Sequence, residues 1–113
     1  MKLRIDIPYA PGHGQRGRLD LLLPECALNQ PIVIVIHGGA LREHSKERVA
    51  GWGEFIVEQG WVAVNINYRL LSDAPYPAAL QDVLAAYRWI QQTDQADLYH
   101  QDKARIGLLV LQP

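Results

Sequence analysis

Apolar and polar residues alternate at the start of this chain, where Leu3, Ile5 and Ile7 are interleaved with Arg4 and Asp6. That period of two predicts a half-exposed strand. Pro11-Gly12-His13-Gly14-Gln15-Arg16-Gly17 is turn chemistry, and Arg18 to Leu23 reads as a second strand, so the two form an antiparallel pair at a sheet edge. After a connection over Pro24 to Gln30, the run Ile32-Val33-Ile34-Val35-Ile36 has no polar member. Such a β-branched run predicts a strand buried on both faces of a parallel sheet.

The period then changes. Ser45 is placed as the N-cap of a helix whose apolar face is Val49, Trp52, Phe55 and Ile56, with Gly60 ending it. Trp61 to Tyr68 is the next strand. Pro77 suits the first turn of a second helix, with Leu80, Val83, Leu84, Tyr87 and Ile90 or Gln91 at helical spacing. A polar stretch from Gln92 to Lys103 precedes a last strand, Ile106 to Leu111. The order β-β-β-α-β-α-β predicts an α/β fold: a mixed, mostly parallel sheet with helices on both faces, formed as a single domain over residues 1–113.

Composition narrows the function classes. Hydrophobic residues make up 49% and charged residues 20%, the balance of a globular chain. A net charge of −1, without a basic stripe, gives no case for nucleic acid or an anionic membrane as partner. Cys26 is the only cysteine, so no internal disulfide forms, and a reducing compartment is expected. The first residues lack the apolar core of a signal peptide and no apolar stretch reaches membrane-spanning length, so a cytoplasmic protein is expected. The histidines show no metal-ligand spacing with carboxylates, and neither metal nor cofactor is expected.

The chemistry gathers after the buried strand, where Ile36 leads into His37-Gly38-Gly39-Ala40. Two further segments follow in order: Tyr68-Arg69-Leu70 continuing to Pro75-Tyr76-Pro77-Ala78-Ala79-Leu80-Gln81-Asp82, and Ala104-Arg105-Ile106-Gly107-Leu108-Leu109. Together they resemble the N-terminal half of carboxylesterases and hormone-sensitive-lipase-like esterases of the α/β-hydrolase superfamily. The resemblance implies that the backbone N–H groups of Gly38, Gly39 and Ala40 supply an oxyanion hole, fixed donors aimed where negative charge develops on acyl transfer. Ala40 stands where the family commonly has glycine, and its donor is kept if its φ stays negative. His37 is implied to brace this loop, Tyr68 to pack at a strand end, and Arg69 to hold the following loop by pairing with Asp82 or Asp73.

The resemblance also implies a Gly-Asp-Ser-Ala-Gly elbow after the last strand. Val110-Leu111-Gln112-Pro113 stands there instead, with Gln112 in the nucleophile's place. Ser45 and Ser72 are the only serines; the first reads as a cap and the second as turn chemistry. The expectation is a truncated hydrolase scaffold with no catalytic residue of its own. It self-associates as a homodimer through the edge strand Ile106 to Leu111 or an exposed sheet face. A split esterase completed by a second chain, or a weak esterase, are the alternatives.

Overall fold

A computed structural model describes residues 1–111; the expectations for Gln112 and Pro113 lie outside the described residues. The strands are β1 (Lys2–Pro8), β2 (Arg18–Leu23), β3 (Ile32–Ile36), β4 (Val62–Ile66) and β5 (Ile106–Val110), and the helices α1 (Ala50–Glu58), α2 (Ala78–Gln92) and a short α3 (Ala96–Tyr99). They form one sheet of order β1-β2-β4-β3-β5. β2 runs antiparallel to both β1 and β4, while β3, β4 and β5 are parallel, so β2 alone points against the rest. This is the mixed, mostly parallel sheet that the pattern predicts.

Register explains which side chain goes where. Ile34 lies opposite Val64 on one side and Leu108 on the other, and Leu21 lies opposite Val64 across β2 and β4. Because side chains alternate across a strand, one face gathers Leu19, Leu21, Ile32, Ile34, Val62, Val64 and Ile66, which pack with Ala79, Ala86 and Ile90 of α2 and Leu98 of α3. The opposite face gathers Leu22, Val35 and Ala63 with Val49 and Ile56 of the α1 segment. Both faces are thus covered, which a β-branched central strand without polar positions requires.

The helices bury different stripes from those the spacing predicts. In α1, Trp52 and Phe55 are exposed and pack edge-on to each other with centroids 6.2 Å apart. The inner stripe is Val49, Gly53 and Ile56. The reason is close approach: a Cβ on Gly53 would lie 2.8 Å from Asn65 Nδ2 and 3.0 Å from Leu22 Cδ2. In α2 the buried stripe is Ala79, Asp82, Ala86 and Ile90, and Leu80, Leu84 and Tyr87 face outward. Small alanines let the helix sit close to the sheet, and the larger apolar residues flank that contact. Ser45 precedes a tight 3-10 turn (Lys46–Val49) and makes no capping bond; its Oγ donates to Glu47 Oε1 at 3.1 Å. Gly60, at φ +89°, closes α1 in the left-handed conformation that suits glycine.

Candidate functional site

The C-terminal ends of β3, β4 and β5 lie side by side, where open α/β sheets carry their ligand crevices. The chain leaves β3 at Ile36 and enters the glycine loop. Gly39 has φ +115°, and a Cβ there would stand 2.2 Å from the Glu43 carbonyl oxygen, so only glycine fits. The turn is closed by the Arg42 amide donating to the Gly39 carbonyl at 2.9 Å. Ala40 and Leu41 also take positive φ, +55° and +63°. The sequence condition for Ala40, a negative φ, is not met: the tight turn carries it into the left-handed region, at roughly 1–2 kcal/mol for a residue with a Cβ. No acceptor among the described residues receives the amides of Gly38, Gly39 or Ala40. A crevice of about 160 Å³ lies here, lined by His37, Gly38, Ala40, Leu41, Tyr68 and Val110 among others.

His37 and Tyr68 form the floor of this loop. Their rings stack with centroids 4.3 Å apart and planes 9° from parallel, and the Tyr68 hydroxyl donates to the His37 carbonyl at 2.8 Å. His37 Nδ1 lies 2.7 Å from the Gly38 carbonyl, which can only accept, so Nδ1 carries the proton in that contact. Among the described residues Nε2 has no partner. Burial holds the His37 imidazolium below the usual histidine range, outweighing the Gly38 bond, and the same burial raises the Tyr68 phenol. The Gly38 contact and the stack on Tyr68 hold the neutral imidazole against the loop backbone.

Arg69 and Asp82 meet directly. The Asp82 carboxylate accepts Arg69 Nη2 at 2.9 Å, Nε at 3.1 and 3.2 Å, and the Arg69 backbone amide at 2.7 Å. Asp82 is 1% exposed, and His13 Nδ1 approaches it to 3.5 Å. The fork clamps the start of the β4–α2 connection onto α2. Asp73 serves elsewhere: its carboxylate accepts the Leu70 amide at 2.8 Å, capping the turn locally.

Several residues that hold the site carry no motif. Asn67 is buried and joins three segments: its Oδ1 accepts the Lys46 amide, its Nδ2 donates to the Gln15 carbonyl, and its own carbonyl accepts the Tyr9 hydroxyl. Burial, then the Asp82 charge, raises the Tyr9 phenol. Arg16 donates to the His44 carbonyl at 2.8 Å, tying the β1–β2 loop to the return of the glycine loop. Lys46 is buried with its ammonium 2.8 Å from Asp6, 2.9 Å from Asp20 and 2.6 Å from Glu47. Burial alone would lower the ammonium, but the three carboxylates outweigh it and hold it above the ordinary lysine value. The asparagines did leave a signal, polar residues inside the apolar run Trp61 to Tyr68; Lys46 and Arg16 left none.

No described pair assembles a nucleophile with its base. Ser45 hydrogen-bonds to a carboxylate and not to the adjacent His44, whose Nε2 faces Glu43 at 3.5 Å. Ser72 lies exposed in the turn after β4. Among the described residues, no group of three or more His, Cys, Asp or Glu side chains is placed to hold a metal ion, and no helix is long and apolar enough to cross a membrane.

Comparison with known proteins places this arrangement. The family described as BD-FAE matches residues 19–110. Esterase LipQ of Mycobacterium tuberculosis is 35% identical over 91 residues, covering 77% of this chain and 21% of that protein. Probable carboxylesterase 4, mitochondrial, of Arabidopsis thaliana is 32% identical over 93 residues, covering 75% and 25%. Among solved structures, a bifunctional GH43-CE protein of Bacteroides eggerthii superimposes with TM-score 0.83 at 30% identity, over 96% of this chain and 16% of its own. The chain therefore spans about a fifth to a quarter of the length of these curated relatives. With its profile matched over most of its length and its sheet shared with esterase structures, this chain belongs to the BD-FAE family and carries a carboxylesterase-like α/β-hydrolase fold.

Proposed function

We propose that this chain supplies the oxygen-binding half of a carboxylester-hydrolase site and turns over no ester by itself. The observation that carries the reading is the pair of amides at Gly38 and Gly39, since the positive φ of Ala40 removes that residue from the expected donors. Among the described residues they have no acceptor, and they lie at the C-terminal end of β3 with His37 and Tyr68 beneath them. Donors fixed before the reaction stabilise an oxyanion without reorganising, and one such donor contributes about 3–4 kcal/mol in well-studied acyl-transfer enzymes. Nothing among the described residues attacks the carbonyl. The test is labelling by an alkyl fluorophosphonate, read by intact-mass and peptide mass spectrometry. The expected result is no adduct on either serine; a stoichiometric adduct on Ser45 or Ser72 would overturn the reading.

A second reading, self-association, is favoured by β5. Among the described residues this strand pairs only with β3, and Leu108 and Val110 are 58% and 52% exposed. An apolar strand at a sheet edge is a template for pairing with a second copy. Light scattering across a concentration series tests it: a homodimer is expected, and a monomer at high concentration contradicts it.

A further inference from the structure

Between the end of β3 and the 3-10 turn at Lys46, three residues that carry a Cβ take left-handed backbone: Ala40, Leu41 and His44, at φ +55°, +63° and +74°. Such conformations cost free energy and persist only where the surrounding structure over-determines them. The stretch closes one turn on itself, through the Arg42 amide and the Gly39 carbonyl. Other holds come from distant segments. The Leu41 carbonyl accepts the Leu71 amide at 2.8 Å, from the β4–α2 connection. The His44 carbonyl accepts Arg16 Nη1 at 2.8 Å, from the β1–β2 loop.

One side chain bears on both of these holds. While Arg16 Nη1 donates to His44, its Nε lies 3.8 Å from Asp73 Oδ2, the oxygen that accepts the Leu70 amide at 2.8 Å. Asp73 thereby fixes the turn that presents the next amide, that of Leu71, to Leu41. Arg16 is itself mounted on both sides. The Gln15 carbonyl accepts Asn67 Nδ2 at 2.8 Å, and the Gly17 carbonyl accepts the Tyr9 and Ala10 amides at 2.9 and 3.1 Å. The loop packs so closely there that a Cβ on Gly17 would stand 2.0 Å from the Ala10 carbonyl oxygen. A guanidinium suits the task, because its planar fork serves two acceptors at once where an ammonium is a single point charge.

We propose that Arg16 is a positioning residue of the oxygen-binding loop. It fixes two points of the left-handed stretch, and through them the aim of the Gly38 and Gly39 amides. It acts on His44 directly and on Leu41 by way of Asp73 and Leu71. The proposal rests on the reading that those two amides bind the substrate oxygen.

The test uses the full 113-residue chain with Arg16→Met, which keeps the stem and removes the donors, and Arg16→Lys, which keeps the charge. In Arg16→Met, amide hydrogen exchange followed by NMR is expected to quicken about tenfold or more at Arg42 and Leu71. At Val35 and Val64, in the central strands, it is expected to change by less than about twofold. Arg16→Lys is expected to fall between Arg16→Met and the unaltered chain, and Arg88→Ala, at an exposed position of α2, to change none of the four. Sodium butyrate, whose carboxylate oxygens stand in for the oxyanion, is expected to shift the Gly38 and Gly39 amides saturably. Its Kd should rise by about threefold or more in Arg16→Met.

Unchanged exchange at Arg42 and Leu71 in both variants overturns the proposal. Equal quickening in the central strands overturns it as well, since Arg16 would then support the whole fold and not the loop. Butyrate affinity indifferent to Arg16→Met does the same. Should Arg16→Met fail to fold, Arg16→Lys carries the comparison, with intermediate exchange expected and wild-type exchange contradicting. Butyrate that leaves Gly38 and Gly39 unmoved in the unaltered chain would overturn the oxygen-binding reading, while exchange at Arg42 and Leu71 decides the hold of Arg16 on the loop separately.

Discussion

Replacing Asp82 by asparagine removes one charge from the Arg69–Asp82 ion pair while keeping its shape. Asp82 is 1% exposed and accepts two guanidinium nitrogens and one backbone amide of Arg69. An asparagine turns one of those oxygens into an NH₂ donor, so at least one Arg69 N–H then faces another donor. Breaking one partner of a fully buried pair costs about 3–5 kcal/mol. The Arg69 side chain stays 24% exposed, so water recovers part of its solvation and the expected loss falls to about 2–3 kcal/mol. Against a total stability of about 5–15 kcal/mol, the variant remains folded but melts lower by roughly 10–20 °C. Urea unfolding followed by circular dichroism measures this, with Arg69→Gln and the double variant completing a cycle. The double variant is expected to be less destabilised than the sum of the singles, because each removes the same contact. A loss under about 0.5 kcal/mol for Asp82→Asn, the range of ordinary surface changes, would refute the clamp.

Gly39→Ala places a Cβ 2.2 Å from the Glu43 carbonyl oxygen at φ +115°, so a loss of about 2–4 kcal/mol is expected. Amide NMR shifts should spread through residues 38–44, and a spectrum unchanged there would contradict the geometry. Lys46→Met leaves Asp6, Asp20 and Glu47 facing one another without their shared cation. Two of these carboxylates reach solvent, so a loss of about 2 kcal/mol is expected in urea unfolding near neutral pH. His37 is held below its ordinary value of 6.5, so the unfolded chain takes up the proton first. Stability therefore falls as pH drops below about 6.5 toward the folded value, and His37→Asn should flatten that part of the curve. A curve of identical slope with and without His37 would contradict its buried, neutral state.

How far the sequence disclosed the molecule depends on the physics at each position. The strand Ile32 to Ile36 was legible because burial on two faces selects an unbroken apolar run; the entry Leu3 to Ile7 does form a strand, but Leu3 and Ile5 are 49% and 62% exposed, so its alternation records no buried face. The helical stripes were shifted because large side chains were expected to point inward. In α1 and α2 the close contact is made by Gly53, Ala79 and Ala86, and the bulk sits outside. A hydrophobicity pattern registers size and polarity but not the distance between helix and sheet. At the site, the glycine loop and the Arg69–Asp82 pair were named through family resemblance, and the structure brings the pair together. The positive φ at Ala40 was not legible, since it follows from the turn closed by Arg42 and Gly39. Asn67 acts through contacts 21, 52 and 58 residues away in sequence, beyond the reach of any local pattern.

The central claim is that this chain holds the oxygen-binding part of an ester-hydrolase site without a working nucleophile. Hydrolysis of a short-chain p-nitrophenyl ester by the folded, mass-verified chain tests it most directly, with Ser45→Ala and Ser72→Ala measured in parallel. The expected rate is indistinguishable from that of an unrelated protein at equal concentration, and is the same for both variants. Turnover well above that background and lost in one of the variants would show a nucleophile at that serine and contradict the claim.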